Sequence, residues 1–176
     1  MRFERITDSR QEMYGKALEL YGGSFPVHEQ REAASQREIL RDEAYFFDLI
    51  YDEESFVGLI LFWETETFIY VEHFCILPEM RNRNYGKRAL ELLGRSGKTV
   101  ILEIDPPVDE LSKRRKGFYE RCGFRENAYP HIHPPYHRGN AGHPLVVMTC
   151  PRAVTEGEYR EFRQYLEHHI MENVYE

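Results

Sequence analysis

The run from Val71 to Leu93 admits few folds. Its first part, Val71-Glu72-His73-Phe74-Cys75-Ile76-Leu77, reads as a buried strand. Pro78 has no N–H to give a ladder, so the strand ends near Leu77. From Tyr85–Gly86 onward Ala89, Leu90, Leu92 and Leu93 fall at helical spacing and form the face to be buried. Between the two lies Arg81-Asn82-Arg83-Asn84-Tyr85-Gly86-Lys87. A turn entering a helix presents unpaired N–H groups, and the helix dipole adds partial positive charge. Arg81, Arg83, Lys87 and Arg88 add formal charge, which makes this a site for a phosphate or diphosphate. Gly86 lets an anion approach the backbone, and Asn84 tolerates left-handed geometry. The alternative is a solvated basic turn.

A second segment, Phe118-Tyr119-Glu120-Arg121-Cys122-Gly123-Phe124, follows downstream. Together the two resemble the GCN5-related N-acetyltransferases. In that family a strand leads into (Arg/Gln)-x-x-Gly-x-(Gly/Ala) and a helix, and a Tyr-Glu-x-x-Gly-Phe segment comes later. Arg81 and Gly86 match, and Asn84 stands in the first glycine position, a departure that touches one backbone contact. The resemblance covers residues 1–150, with 151–176 a helical extension of a single domain spanning 1–176. It implies an acyl-CoA N-acyltransferase fold of the mixed α/β type, with about six or seven strands and helices on both faces.

Composition narrows the partners. A net charge of −7 argues against nucleic acid and anionic membrane. Hydrophobic residues at 41% suit a folded globular chain rather than a disordered one. Cys75, Cys122 and Cys150 are too far apart for a zinc pattern and odd in number, so buried thiols in a reducing cytoplasm are expected. No apolar signal core and no run of membrane-spanning length is seen.

The periodicity predicts a strand over 3–6, a helix capped by Asp8 or Ser9 and running to Tyr21, and a polar helix over 29–40. That polar helix is expected on the surface or as a lid. Strands follow over 45–51 and 56–63, then the central strand from Phe68 to Leu77. Beyond the basic turn come a strand over 99–104, a helix over 110–122 closed by Gly123, and a strand over 124–129. An irregular loop rich in His and Pro spans 130–143, a last strand 145–150, and an amphipathic helix 155–173 that either caps the sheet or forms a homodimer contact.

The resemblance implies acetyl-CoA as co-substrate, its pantetheine arm paired with Phe74, Cys75 and Ile76 like an added strand. Its diphosphate would meet Arg81, Asn82, Arg83, Asn84, Tyr85, Gly86 and Lys87, with Ser112 and Tyr119 completing the cofactor set. Tyr119 would donate a proton to the leaving thiolate; a phenol of pKa about 10 holds its proton at neutral pH. Glu72 is the first choice of base and Glu103 the second, since a carboxylate in an apolar strand has its pKa raised by burial. Alternation places His73 on the face opposite Glu72. Phe25, Glu29, Arg31, Glu72 and Tyr136 are the candidate acceptor contacts, with His28 and His137 beside them. The expectation is an N-acetyltransferase acting on a small-molecule or peptide amine by direct attack, without metal. The alternatives are a non-catalytic acyl-CoA sensor and a zinc module built on His131, His133, His137 and His143.

Overall fold

The computed structural model describes residues 1–172, 174 and 175. Its strands in chain order are β1 (Arg2–Ile6), β2 (Tyr45–Asp52), β3 (Ser55–Glu64), β4 (Phe68–Ile76), β5 (Thr99–Ile104) and β6 (Arg125–Glu126). After these come β7 (Ile132–His133), β8 (His143–Pro144) and β9 (Val146–Cys150). Among the described residues β7 and β8 pair only with each other, and the rest form a seven-stranded sheet in the order β1-β2-β3-β4-β5-β9-β6. Its neighbours are antiparallel except β4 and β5, which run parallel. A parallel pair needs a crossover, and helix α3 supplies it below.

The helices are α1 (Glu12–Ser24), α2 (Ala33–Glu38), α3 (Tyr85–Gly94), α4 (Glu110–Arg121) and α5 (Glu156–Tyr165). On one sheet face Tyr14, Ala17 and Tyr21 of α1 pack with Phe47, Leu61, Trp63 and Tyr70. Phe162 of α5 joins them, with Leu166 and Ile170 from the wider turn Leu166–Ile170 that continues it. On the other face Ala89, Leu90 and Leu93 of α3 pack with Ile60, Phe62, Val71 and Leu102, flanked by Phe118 and Tyr119 of α4. The expected mixed sheet with helices on both faces is therefore observed. Leu92 is only half-buried, at the edge of the stripe. The C-terminal helix covers the sheet beside Phe68 and Tyr70; Asn173, the last residue of the predicted helix, lies outside the described residues.

Three elements differ from expectation. The polar helix over 29–40 is broken: residues 27–29 form a 3₁₀ turn, Gln30 and Glu32 are extended, and α2 is short. The reason is Arg31, whose N–H donates to Tyr21 Oη at 3.0 Å and whose side chain turns inward. Ser35 and Gln36 are buried as well, so one side of the segment packs into the protein while Glu32, Ala33, Arg37 and Glu38 stay exposed. The strand over 124–129 shrinks to Arg125–Glu126 because Asn127 leaves the ladder. Its Nδ2 donates to Thr149 Oγ1 at 2.9 Å, and its Oδ1 accepts the Val154 N–H at 2.9 Å. Finally, α1 starts at Glu12 without a side-chain cap and runs past Gly22 and Gly23.

Candidate active site

β4 and β5 pair only from Phe68–Thr99 to Val71–Leu102, while β4 runs on to Ile76. Beyond Val71 the edge of β4 that faces β5 is unpaired with that strand. A slip in the β3–β4 register lies at the same place: Phe62 opposes Val71, but Leu61 opposes His73, so Glu72 is the extra residue of a bulge. A bulge resets alternation. Glu72 bonds Trp63, and the His73 ring lies 4.9 Å from that of Tyr21, both rings belonging to the α1 face. Phe74 packs with the opposite cluster. The expectation that His73 faces away from Glu72 is corrected accordingly. β3 tolerates the approach of β4 because a Cβ on Gly58 would stand 2.3 Å from the Cys75 carbonyl oxygen.

A cavity of about 1550 Å³ opens into this divergence. Its walls carry Phe74, Cys75 and Ile76 from β4, and Arg81, Asn82, Asn84, Tyr85, Gly86 and Lys87 from the basic turn. Asn82 (φ 61) and Asn84 (φ 64) both take the left-handed conformation. The first helical bond of α3 runs from Arg88 N–H to Asn84 O at 3.1 Å, so the N–H groups of Tyr85, Gly86 and Lys87 precede the ladder. Gly86 has a packing reason beyond anion approach: a Cβ there would lie 3.0 Å from the Phe118 ring. Two basic residues are not available as expected. Arg88 is held by both oxygens of Asp52, at 3.0 and 2.7 Å. Arg83 is exposed outside the cavity wall, reaching Met80. Arg81 lines the cavity and donates to the Ile76 carbonyl at 3.2 Å.

Helix α4 brings Tyr119 to the cavity wall, where burial pushes its hydroxyl up to about 12 against the opposing charge of Arg115. Gly123 ends the helix region at φ +92, as its position predicts. Ser112 is placed in the cofactor set by resemblance alone and does not line the cavity. It is spent in the cap of α4, its N–H donating to Asp109 Oδ1 at 2.8 Å and its Oγ accepting the Asp109 N–H at 3.1 Å. Burial pushes the Cys75 thiol up to about 11, which makes it a poor nucleophile.

The two carboxylates are held in opposite fashion to the expectation. Glu72 has a fully buried side chain, 3.0 Å from that of Arg31. It accepts from Trp63 Nε1 and from the Tyr136 hydroxyl, both at 2.8 Å. Burial alone would raise its pKa, but the charges of Arg31 and His73 and these hydrogen bonds outweigh it, and the carboxyl stays below its ordinary value. Glu103 behaves likewise: burial is outweighed by His133, His131 and Tyr70. Tyr70 donates to its Oε2 at 2.5 Å, and His131 Nε2 is hydrogen-bonded to its Oε1. Neither carboxylate has the raised pKa expected of a base. Arg31, a candidate acceptor contact, is buried against Glu72 and the Ile170 carbonyl, 2.7 Å away, and does not line the cavity. Phe25, Glu29, Glu72, Glu103 and Tyr136 do.

Sequence reasoning offered His133 only as a zinc ligand and missed its place beside Glu103. The His131-x-His133 spacing reads as one side of a strand, and around β7 both rings lie against Glu103. His133 Nδ1 donates to the Pro134 carbonyl at 2.6 Å. Nε2 lies 3.4 Å from the Tyr136 hydroxyl and 3.8 Å from Glu103 Oε2, on the cavity wall.

A sheet that splays beside a helix N-terminus, over one cavity, defines the acyl-CoA N-acyltransferase class of fold. A model of the Acetyltransferase (GNAT) family matches residues 9–124, more than half of the chain, and the protein belongs to that family. It is similar over 97% of its length, at 35% identity and TM-score 0.91, to a structure from Bacteroides thetaiotaomicron assigned as a GNAT acetyltransferase, of which it covers 98%. An aminoglycoside 6'-N-acetyltransferase complexed with coenzyme A shares the fold at 16% identity and TM-score 0.59, over 88% of this chain and 100% of that one. Among curated proteins, YjbC of Bacillus subtilis, assigned as an acetyltransferase, is 26% identical over 104 residues. That match takes in 57% of this chain and spans about half, 52%, of the relative.

Proposed function

We propose that the protein is an acetyl-CoA-dependent N-acetyltransferase that passes the acetyl group to a primary amine by direct attack in a ternary complex. One observation carries the reading: the freed edge of β4 and the α3 N-terminus open into the same cavity as Tyr119. The N–H groups of Tyr85, Gly86 and Lys87 suit the diphosphate, with Arg81 and Lys87 adding charge. From there the pantetheine arm runs back along Phe74–Ile76, pairing with the backbone. On this reading the thioester lies between β4 and α4.

The attacking amine must be neutral. His133 Nε2, on the cavity wall 3.8 Å from Glu103 Oε2, takes the ammonium proton. The amine nitrogen bonds to the acetyl carbon, the carbon–sulfur bond breaks, and the electron pair leaves on sulfur. Tyr119, kept protonated by burial, gives that thiolate its proton, and the surplus proton on the new amide nitrogen passes to the tyrosinate, which leaves a neutral amide, a free thiol and Tyr119 restored. Glu72 serves to hold the Tyr136 hydroxyl in place rather than as a base. The test is release of free coenzyme A thiol from acetyl-CoA over a panel of primary amines. Turnover with at least one amine is expected. Tight coenzyme A binding without release for any amine would favour a non-catalytic sensor.

A further inference from the structure

The cavity wall carries a cluster to which the acetyl-transfer steps above assign no role. His28 and Glu29 belong to the 3₁₀ turn Val27–Glu29, and His143 belongs to β8. Their ligating atoms all lie within 4.8 Å of one another, and all three residues line the cavity. We propose that His28, Glu29 and His143 bind one divalent transition-metal ion of the zinc class, which clips this turn to β8.

The donor set is two imidazoles and a carboxylate, which selects zinc-class ions over calcium or magnesium. A tetrahedral ion with bonds of about 2.1 Å holds its ligand atoms about 3.4 Å apart. His28 Nε2 and Glu29 Oε1 already stand 3.7 Å apart, and the two imidazole centroids 5.7 Å.

The scaffold on each side is fixed by other bonds. Glu29 N–H donates to Pro26 O at 2.9 Å, and Glu29 O is bonded to His73 Nε2 at 2.8 Å. His137 Nε2 reaches the Val27 carbonyl at 2.8 Å, which ties the His-rich loop to the turn. His143 is paired with His133 in the β7–β8 ladder. Asp105 Oδ1 lies 3.4 Å from His143 Nε2 and adds negative charge next to the cluster. Three protein ligands leave a position for water on an ion seated in the cavity wall. These are not the ligands that the His-x-His motif suggests, since His131 and His133 are engaged with Glu103.

The test is isothermal titration of zinc chloride into metal-free full-length protein. One ion per chain is expected. Affinity should fall at least tenfold in His143→Ala and in His28→Ala, and calcium chloride should give no binding. His28 is exposed, so its variant keeps the proposal testable if His143→Ala fails to fold. Zinc should also raise the melting temperature of the parent protein and not that of His28→Ala. Absence of stoichiometric binding, unchanged affinity in the folded histidine variants, or loss of binding in Cys122→Ser or Cys150→Ser instead would overturn the assignment. Binding is read without acetyl transfer, so this proposal fails or stands separately from the transferase reading.

Discussion

Replacing Arg31 with Met tests whether Glu72 is structural. The guanidinium of Arg31 lies 3.0 Å from the Glu72 carboxylate, with both side chains fully buried. Removing one partner of such a pair costs about 3–5 kcal/mol, because the other charge is left uncompensated. The lost bond to the Ile170 carbonyl adds about 1 kcal/mol. A loss of about 4–6 kcal/mol is comparable with the whole stability of a marginal domain, about 5–15 kcal/mol. With a urea m-value of about 2 kcal/mol/M, the midpoint should drop by about 2–3 M. Adding Glu72→Gln to Arg31→Met removes the orphaned charge and should restore much of the loss, a coupling of about 2 kcal/mol or more in a double-mutant cycle. The pair also has a pH signature. The folded pKa of Glu72 is depressed, so its contribution is present above the ordinary value of 4.5 and is lost as pH falls through the lowered one. A single variant that loses less than 1 kcal/mol, or a double variant whose losses simply add, would refute this reasoning.

Tyr119→Phe should lower kcat about 100-fold with coenzyme A affinity kept, and His133→Gln should do the same while flattening the pH–rate profile; steady-state kinetics and calorimetry check both. Asp48, buried on β2, is pushed from 3.8 up to about 7 by burial, with Arg5 opposing. Its folded form therefore binds the extra proton, and stability should fall by about 4 kcal/mol as pH rises from about 4 to about 7. Denaturation of Asp48→Asn across that range should show the slope removed. Gly58→Ala should destabilise by about 1–3 kcal/mol through its clash with the Cys75 carbonyl, and coenzyme A affinity should fall as the edge of β4 shifts.

Local chemistry made much of this legible in the chain. Pro78 ends the central strand, Asn84 adopts the left-handed conformation it tolerates, and Gly123 closes α4, because each acts through its own backbone. The apolar stripe of Ala89, Leu90 and Leu93 placed α3 on the sheet for the same reason. What the chain by itself did not reveal depends on partners far along it. Arg31 broke a helix because a carboxylate 41 residues away needed its charge. A slip of one residue at Glu72 cancelled the alternation that assigned His73 to the other face. Burial in isolation raises a carboxylate's pKa, and only the packed structure brought Arg31, His131 and His133 close enough to reverse that at Glu72 and Glu103. Sequence determined where the backbone turns and which faces are apolar; tertiary structure decided which charges meet, and with them which groups are left to exchange protons.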